Sequence, residues 1–175
     1  MNILITGGTG LIGKKLTEIL LSKGHSVSIL SRSKKEDSKV TYYNWDIANN
    51  KIEKEAILKA DYIIHLAGAN VGEGRWTEKR KKEIIDSRIL SGNLLFETVK
   101  EHNPNLKGMI SSSAVGYYGM VTTDKIFVET DKAGEDFLAK VCEKWENSAL
   151  QFNSLNIRTV IIRTGVVLDA TDGAL

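Results

Sequence analysis

Three glycines at a fixed spacing directly follow the first apolar run of this chain, and they restrict the folds that it can adopt. Residues 3–5 form a short strand pattern, and Gly7, Gly10 and Gly13 come next at the spacing GxxGxxG. Apolar residues between positions 16 and 20 then recur at helical spacing. A strand, a glycine-rich turn and a helix in this order form the unit that brings a dinucleotide pyrophosphate against the amides of a helix N-terminus.

The same segment also contains most of an ATPase phosphate loop. Gly8, Gly13 and Lys14 give the pattern GxxxxGK, but Lys15 follows where such a loop carries the Ser or Thr that ligates Mg²⁺. A third interpretation is that the glycines serve only tight packing of a strand on a helix. We favour dinucleotide binding, with the cofactor contacts of this turn predicted at Gly7, Thr9, Gly10, Leu11, Ile12 and Gly13.

Strand and helix patterns alternate along the rest of the chain. Strand patterns occupy residues 26–31, 40–45, 61–66, 107–113 and 157–163, and helical patterns occupy residues 52–59, 76–102 and 132–152. Such alternation implies parallel strands joined by helical crossovers, and therefore a doubly wound parallel α/β sheet of the Rossmann type. No linker or repeat divides the chain, so we predict one NAD(P)-binding domain over residues 1–175.

Composition narrows the class of protein further. A chain of 175 residues with 42% hydrophobic and 26% charged residues is able to bury one sizeable core. The net charge of +2 is spread along the chain, and its densest basic run, residues 79–82, lies between Glu78 and Glu83 in a helical pattern. That run is typical of a solvated helix face, so we expect no nucleic-acid partner.

Cysteine content and hydropathy indicate a cellular location. Cys142 is the only cysteine, which rules out an intrachain disulfide and a cysteine-rich metal site, and we expect it to pack in a core. No signal-peptide pattern opens the chain, and no apolar run reaches the length of a membrane span. We therefore expect a cytoplasmic protein with neither a bound metal nor a membrane partner.

The end of the second strand pattern bears on the choice of cofactor. An NAD-type site carries an acidic residue there, which accepts hydrogen bonds from ribose hydroxyls. This chain instead has Ser31 and Arg32. A hydroxyl and a cation suit a 2′-phosphate, so we favour NADP, with NAD still possible; the alternative is that Arg32 is only a solvated strand-end residue.

A set of further motifs carries a family resemblance. The segments ITGGTGLIG, HLAGANVGEGRW, DSRI, SSSAVGYYG, GEDFLAKVCEKWE and IRTGVVL occur in this order across nearly the whole chain. The chain resembles the extended short-chain dehydrogenase/reductase superfamily, and within it the atypical epimerase-like family sometimes labelled cell-division-inhibitor-like. The resemblance implies a nucleotide-binding half followed by a smaller substrate domain. Because this chain stops at DGAL, we expect a fragment from which most of the substrate domain is missing.

The resemblance implies two further cofactor contacts at the adenine. Asp46 and Ile47, after the third strand pattern, match the pair that flanks the adenine in extended members of the superfamily. A carboxylate at Asp46 is able to accept a hydrogen bond from the adenine amino group. The alternative is that Asp46 is only an N-cap or turn residue.

Two other segments match the cofactor contacts of the superfamily through their backbones. Leu66, Ala67 and Gly68 match the segment that passes the ribose and pyrophosphate, whereas the preceding His65 is expected to be a packing residue. Arg163 opens the segment that lies near the nicotinamide carboxamide. We expect its backbone to matter more than its side chain.

The implied chemistry is hydride transfer between a nicotinamide and a substrate alcohol or ketone. Ser113 matches the serine that orients the substrate oxygen. The usual acid/base group is a tyrosine activated by a lysine one helical turn later, and no YxxxK occurs in this sequence. By alignment, Leu138 and Cys142 take the places of the tyrosine and the lysine, and Ser87, followed by Arg88, takes that of an asparagine.

Other groups must therefore supply a proton if the chain belongs to an enzyme. Tyr117, in the loop after Ser113, is our candidate proton donor, with Tyr118 and Glu129 nearby. Arg75 and Trp76 are open to two interpretations: a grip on a substrate phosphate or carboxylate, or a solvated arginine beside a packed ring.

Three functions remain open on this sequence. The first is an NAD(P)-dependent oxidoreductase or epimerase that acts on a small molecule, a sugar or nucleotide-linked sugar. The second is a non-catalytic sensor of NADP(H), and the third is a partner-binding module with a vestigial nucleotide site. A homodimer is compatible with all three.

Overall fold

A computed structural model of the chain describes residues 1–33 and 35–169. Residue 34 and residues 170–175, which include the DGAL end, lie outside the described residues. The strands are β1 (Asn2–Thr6), β2 (Ser26–Ser31), β3 (Val40–Asp46), β4 (Lys51–Ile52), β5 (Tyr62–His65), β6 (Gly108–Ala114) and β7 (Thr159–Thr164). The helices are α1 (Leu11–Ser22), α2 (Lys54–Leu58), α3 (Glu78–His102) and α4 (Phe137–Leu150), and 3₁₀ turns follow at Val115–Tyr118 and Gln151–Leu155.

The strands form one seven-stranded sheet in the order β4-β3-β2-β1-β5-β6-β7. All neighbouring pairs are parallel except β3 and β4. The predicted doubly wound α/β sheet is thus confirmed. Its strand order reverses at β1, which has β2 on one side and β5 on the other, and ligands of open α/β sheets bind at the carboxyl ends of the strands beside such a reversal.

Strand β4 and the 3₁₀ turns had no signal in the sequence patterns. Strand β4 has only two residues, and it forms because Trp45 pairs with Ile52 and Asp46 pairs with Lys51 across a tight connection. So short an edge strand has no measurable alternation of its own, since its partner in β3 determines it.

Two apolar layers hold the helices against the sheet. On one side, Leu16 and Leu20 of α1 pack on a buried cluster that includes Ile5 and Ile29. On the other side, α2 and α3 cover a larger cluster that extends to the fully buried Phe152. Each such side chain contributes roughly 1.5–3 kcal/mol when it is removed from water.

Helix α4 begins five residues later than the pattern predicts. Asp136 caps it, because one carboxylate oxygen accepts a hydrogen bond from the Ala139 amide at 3.0 Å. The other oxygen accepts one from the Met120 amide at 2.7 Å. These backbone hydrogen bonds keep the pKa of Asp136 below its ordinary value and tie the preceding loop to the start of the helix.

Candidate functional site

The glycine turn between β1 and α1 is close-packed on two sides. Gly7 has φ +70°, and a Cβ there would lie 2.8 Å from the Leu66 carbonyl carbon. A Cβ on Gly13 would lie 2.4 Å from the Gly7 carbonyl oxygen. Gly7 therefore allows the loop after β5 to approach the turn, and Gly13 allows α1 to pack on it.

The N-terminus of α1 carries amides without a side-chain cap. Gly10 is the N-cap residue and no side chain among the described residues caps it, whereas Thr77 caps α3 and Asp136 caps α4. A Cβ at Gly10 would have only the Gly7 oxygen within 4 Å, at 3.4 Å. The first amides of α1, which belong to Leu11, Ile12 and Gly13, carry the positive end of the helix dipole and suit an anion.

A groove of about 350 Å³ lies at the carboxyl ends of β1, β2, β3 and β5. Most of the cofactor residues predicted from sequence line it, although they come from four separate segments. These residues are Gly7, Thr9, Gly10, Ser31, Arg32, Ile47, Leu66, Ala67 and Gly68. A second groove, of about 720 Å³, continues from it past Arg32 and Ile47 and includes Asp46.

One face of α3 forms the far wall of both grooves, and sequence reasoning missed most of it. The second groove is lined from this helix by Lys79, Lys82, Glu83, Asp86, Ser87 and Leu90. Their spacing of three or four residues places them on one side of a helix. This spacing is visible in the sequence, but it does not indicate which part of the fold lies opposite these residues.

Arg32 stands where the two grooves meet. Its side chain is exposed, and its guanidinium forms no hydrogen bond or ion pair within the part of the chain that the structure describes. Lys79 and Lys82 line the same groove from α3, and Lys82 pairs with Asp86. An unpaired guanidinium here suits a phosphate, which accepts charge-assisted hydrogen bonds in a planar, two-point geometry.

Asp46, the last residue of β3, accepts hydrogen bonds from the turn that follows the strand. One carboxylate oxygen accepts a hydrogen bond from the Asn49 amide at 3.2 Å, and the other accepts one from the Asn49 side-chain nitrogen at 2.7 Å. These two hydrogen bonds keep the pKa of Asp46 below its ordinary value. The turn interpretation of Asp46 therefore holds in the structure, and its contact with adenine stays a prediction.

The loop after β5 is held in place by two hydroxyl groups. The Ala67 amide donates to Thr6 Oγ1 at 3.3 Å, and the Ala69 amide donates to Ser87 Oγ at 3.0 Å. Ser87, which takes the place of the superfamily asparagine, therefore fixes the groove wall that Ala67 and Gly68 form.

His65 is a core residue, as expected. Its side chain is fully buried, with Nδ1 2.7 Å from Thr6 Oγ1 and Nε2 3.3 Å from Ser91 Oγ. A neutral ring that accepts from Thr6 and donates to Ser91 satisfies both contacts. Burial lowers the pKa of His65 to about 4, so the ring is uncharged at neutral pH.

The predicted Ser113 belongs to a buried polar cluster at the end of β6. Ser113 is 1% exposed, and its hydroxyl donates to Glu146 Oε1 at 2.6 Å. Arg163 holds the same carboxylate through Nε and Nη2, each at 2.8 Å. The guanidinium also donates to the Tyr118 hydroxyl at 2.8 Å and lies 3.5 Å from the centre of the Tyr117 ring.

This cluster changes what sequence reasoning assigned to Arg163. From the sequence, the Arg163 backbone is expected to matter more than its side chain. In the structure, that side chain makes an ion pair with Glu146 between β7 and α4. Opposite charges 17 positions apart carry no recognisable spacing, so only the packing of α4 on the sheet reveals the pair.

Helix α4 brings no acid/base group to this cluster at the two aligned positions. Cys142 is 5% exposed, and burial raises the pKa of its thiol. By the alignment with the superfamily, the aliphatic Leu138 takes the place of the tyrosine and the unreactive thiol of Cys142 takes that of the lysine. The Trp76 ring lies 5.3 Å from the Phe137 ring and its indole nitrogen donates to the Val71 carbonyl oxygen, but Trp76 is 38% exposed and Arg75 is exposed too. Both interpretations of that pair therefore stay open.

The chain is similar to known proteins in sequence. Residues 3–167 match the model of the NAD dependent epimerase/dehydratase family. The chain belongs to this family. It is 37% identical over 171 residues to the epimerase family protein YfhF of Bacillus subtilis, an alignment that covers 96% of the chain and 55% of that protein. The chain spans about half the length of the curated relatives that it matches.

Two solved structures have the same fold and are also similar to this chain in sequence. A nucleoside-diphosphate sugar epimerase from Corynebacterium glutamicum superposes with a TM-score of 0.82 at 35% identity, covering 99% of this chain and 35% of that one. The human epimerase family protein SDR39U1, solved with NADPH, superposes with a TM-score of 0.81 at 28% identity, covering 99% and 57%. The expected membership of the epimerase-like short-chain dehydrogenase/reductase group is confirmed.

The described residues contain neither a metal-binding cluster nor a membrane-spanning helix. Within residues 1–33 and 35–169, no group of three or more His, Cys, Asp or Glu side chains is arranged to hold a metal ion. In the same part of the chain, no helix combines the length and apolar character that crossing a membrane requires.

Proposed function

We propose that this chain binds NADP(H) along the two connected grooves, with the pyrophosphate at the N-terminus of α1 and the adenosine 2′-phosphate at Arg32. The observation that carries the proposal is the uncapped helix N-terminus beside Gly7 and Gly10, in a groove that leads to an unpaired guanidinium. The human relative solved with NADPH supports it.

The residues of the groove fit this cofactor part by part. Amides at Leu11, Ile12 and Gly13 would hold the pyrophosphate, with Thr9 beside it, and Ser31 would add a hydroxyl next to Arg32. Asp46 and Ile47 would flank the adenine, while Leu66, Ala67 and Gly68 would pass the ribose. When bound, the cofactor supplies a nicotinamide that donates or accepts hydride.

We further propose that the whole protein is an oxidoreductase or epimerase acting on a sugar or nucleotide-linked sugar. The relative described as a nucleoside-diphosphate sugar epimerase supports this class of substrate. Ser113 and Tyr117 are the groups proposed to meet the substrate oxygen. Ser113 is held by Glu146, and the Tyr117 ring lies under Arg163, so both are positioned by one ion pair.

A sensor of NADP(H) without turnover is the second candidate. One expectation and one observation support it. The alignment from the sequence puts Leu138 and Cys142 in the places of the acid/base pair, and in the structure the Ser113 hydroxyl donates to Glu146. The third candidate, a partner-binding module, would need neither NADP nor NAD. Assembly into a homodimer stays a prediction under each function.

Calorimetric titration with NADPH, NADH and magnesium ATP tests the cofactor proposal on this chain. We expect saturable binding of NADPH, weaker binding of NADH and none of magnesium ATP. Binding of magnesium ATP alone would refute the proposal and favour the phosphate-loop interpretation.

A measurement of turnover distinguishes an enzyme from a sensor, and this measurement requires the full-length protein. Hydride isotope exchange between NADPH and a panel of nucleotide sugars is the measurement. We expect exchange in the native protein and its loss in Tyr117→Phe. If Tyr117→Phe retained the full rate, the role of Tyr117 would be abandoned, and absence of exchange in the native protein would favour the sensor.

A further inference from the structure

Helix α3 carries a buried arginine that lacks an anionic partner. Arg88 is 8% exposed, and its Nη1 donates to the Ile84 carbonyl oxygen at 2.9 Å. Its Nε is buried without a hydrogen-bond partner, and among the described residues no carboxylate forms an ion pair with it. The Nε–H group is therefore a buried donor for which the described residues provide no acceptor.

The surroundings of Arg88 do not neutralise its charge. The guanidinium carbon lies 4.7 Å from the centre of the Trp145 ring, whose face attracts a cation. The ionisable groups that interact with it are the Cys142 thiol on α4, a second cation, Arg80, on α3 itself, and the His65 ring on β5. A buried unpaired charge is costly, and an apolar side chain of similar size would pack on Trp145 without that cost.

Arg88 lies directly behind the groove wall. A Cβ on Gly68 would come within 2.9 Å of the guanidinium carbon and 3.1 Å of Nη2. Gly68 itself lines the groove, so the guanidinium lies against a residue of the groove wall. On one side of Gly68, the Ala69 amide donates to Ser87, whose hydroxyl donates to the Ile84 carbonyl oxygen that Arg88 also contacts.

We propose that Arg88 is an anion-binding residue whose guanidinium attracts and orients an oxyanion of the ligand bound beside Gly68. The oxyanion is either a phosphate of the cofactor bridge or a phosphate or carboxylate of the substrate. The proposal rests on the groove being the ligand site, and it explains why a cation is buried where none of the described carboxylates pairs with it. The attraction of the Trp145 ring offsets only part of the cost of burying this charge.

Thermal unfolding with and without inorganic pyrophosphate tests the proposal. The variants are Arg88→Met and, in case that protein does not fold, Arg88→Gln; Arg158→Met is the matched control, because Arg158 is exposed at the amino-terminal end of β7. We expect pyrophosphate to raise the melting temperature of the native chain and of Arg158→Met, and its apparent affinity to fall at least tenfold in the Arg88 variants. An unchanged response in a folded Arg88 variant, or no response in the native chain, would overturn the proposal.

Titrations with NADPH and with 2′,5′-ADP, which lacks the second phosphate of the bridge, identify the source of the oxyanion. Weaker binding of NADPH to Arg88→Met, with 2′,5′-ADP unaffected, assigns it to the cofactor. Unchanged NADPH affinity, with pyrophosphate no longer binding to the NADPH-saturated variant, assigns it to the substrate. If the native chain bound pyrophosphate through Arg88 but ignored NADPH, the proposed function would fail and this inference would stand.

Discussion

Arg163 and Glu146 form a two-point ion pair, with Nε and Nη2 of the arginine each 2.8 Å from a different oxygen of the carboxylate. Their side chains are 16% and 8% exposed. Glu146 also accepts the Ser113 hydroxyl, so one carboxylate joins β6, β7 and α4. The hydrogen bonds that the Arg163 guanidinium donates to Glu146 raise the pKa of Arg163, which therefore keeps its charge at any accessible pH.

Replacing Arg163 by Met should destabilise the chain strongly. The Glu146 carboxylate would stay buried without a counter-ion, and breaking such a pair costs about 3–5 kcal/mol in free energy of unfolding. Chemical denaturation measures the loss. Lys107→Met is the control, because it breaks an exposed pair with Asp61 and should change little. Equal losses in both variants would contradict a structural role for the buried pair.

Replacing Gly7 by Ala should remove cofactor binding and destabilise the turn. Gly7 and Gly24 share nearly the same positive φ, +70° and +76°, but only at Gly7 does the new methyl group meet backbone, 2.8 Å away. Gly24→Ala should cost about 1–2 kcal/mol for its φ alone, and Gly7→Ala roughly 1–3 kcal/mol more from the clash. Denaturation curves and NADPH titrations measure both. Indistinguishable variants would show that the close approach of Leu66 is not required.

Replacing Arg32 by Gln should narrow the preference for NADPH over NADH. Hydrogen bonds to a charged group contribute about 1.5–3 kcal/mol, which corresponds to a loss of roughly tenfold or more in NADPH affinity. NADH lacks the 2′-phosphate, so its affinity should stay the same. Calorimetry on the native chain, Arg32→Gln and the exposed control Arg158→Gln measures this difference. Equal weakening of both cofactors would mean that Arg32 does not read the 2′-phosphate.

Acid should destabilise the chain through His65 before it does so through the carboxylates. The pKa of His65 is about 4 in the folded chain and near 6.5 when unfolded, so between these values the unfolded state binds the extra proton. Stability is therefore complete above about pH 6.5 and falls as pH drops toward 4, by about 3 kcal/mol in total. The pKa of Asp46 and of Asp136 is lowered, so their contributions are lost only at lower pH.

Denaturation midpoints between pH 7 and pH 4 measure this effect of His65. The control is His65→Gln, which should be less stable at neutral pH but should show a much flatter dependence through the same range. A native chain whose stability was flat from pH 7 to pH 4.5 would show that the buried ring accepts a proton in place, and would contradict its assignment as a neutral core residue.

Local patterns in the sequence were enough for the class of fold and for half of the site. The spacing of Gly7, Gly10 and Gly13 and the alternation of strands and helices depend on neighbouring residues, which obey backbone sterics and helical or strand periodicity wherever they occur. The role proposed for Ser31 and Arg32 could also be inferred from the sequence, because the end of the second strand in this fold has a known position relative to the glycine turn. From these features alone, a nucleotide-binding α/β sheet follows.

Contacts between distant segments were decided only by the tertiary structure. The ion pair of Arg163 with Glu146, the two-residue strand β4 and the position of Arg88 behind Gly68 have no periodic or spacing signal. Each depends on how α3 and α4 pack on the sheet, because burial and partner geometry determine whether a charge is solvated, paired or left to attract a ligand. The same amino acids exposed on a surface would leave an identical pattern in the sequence.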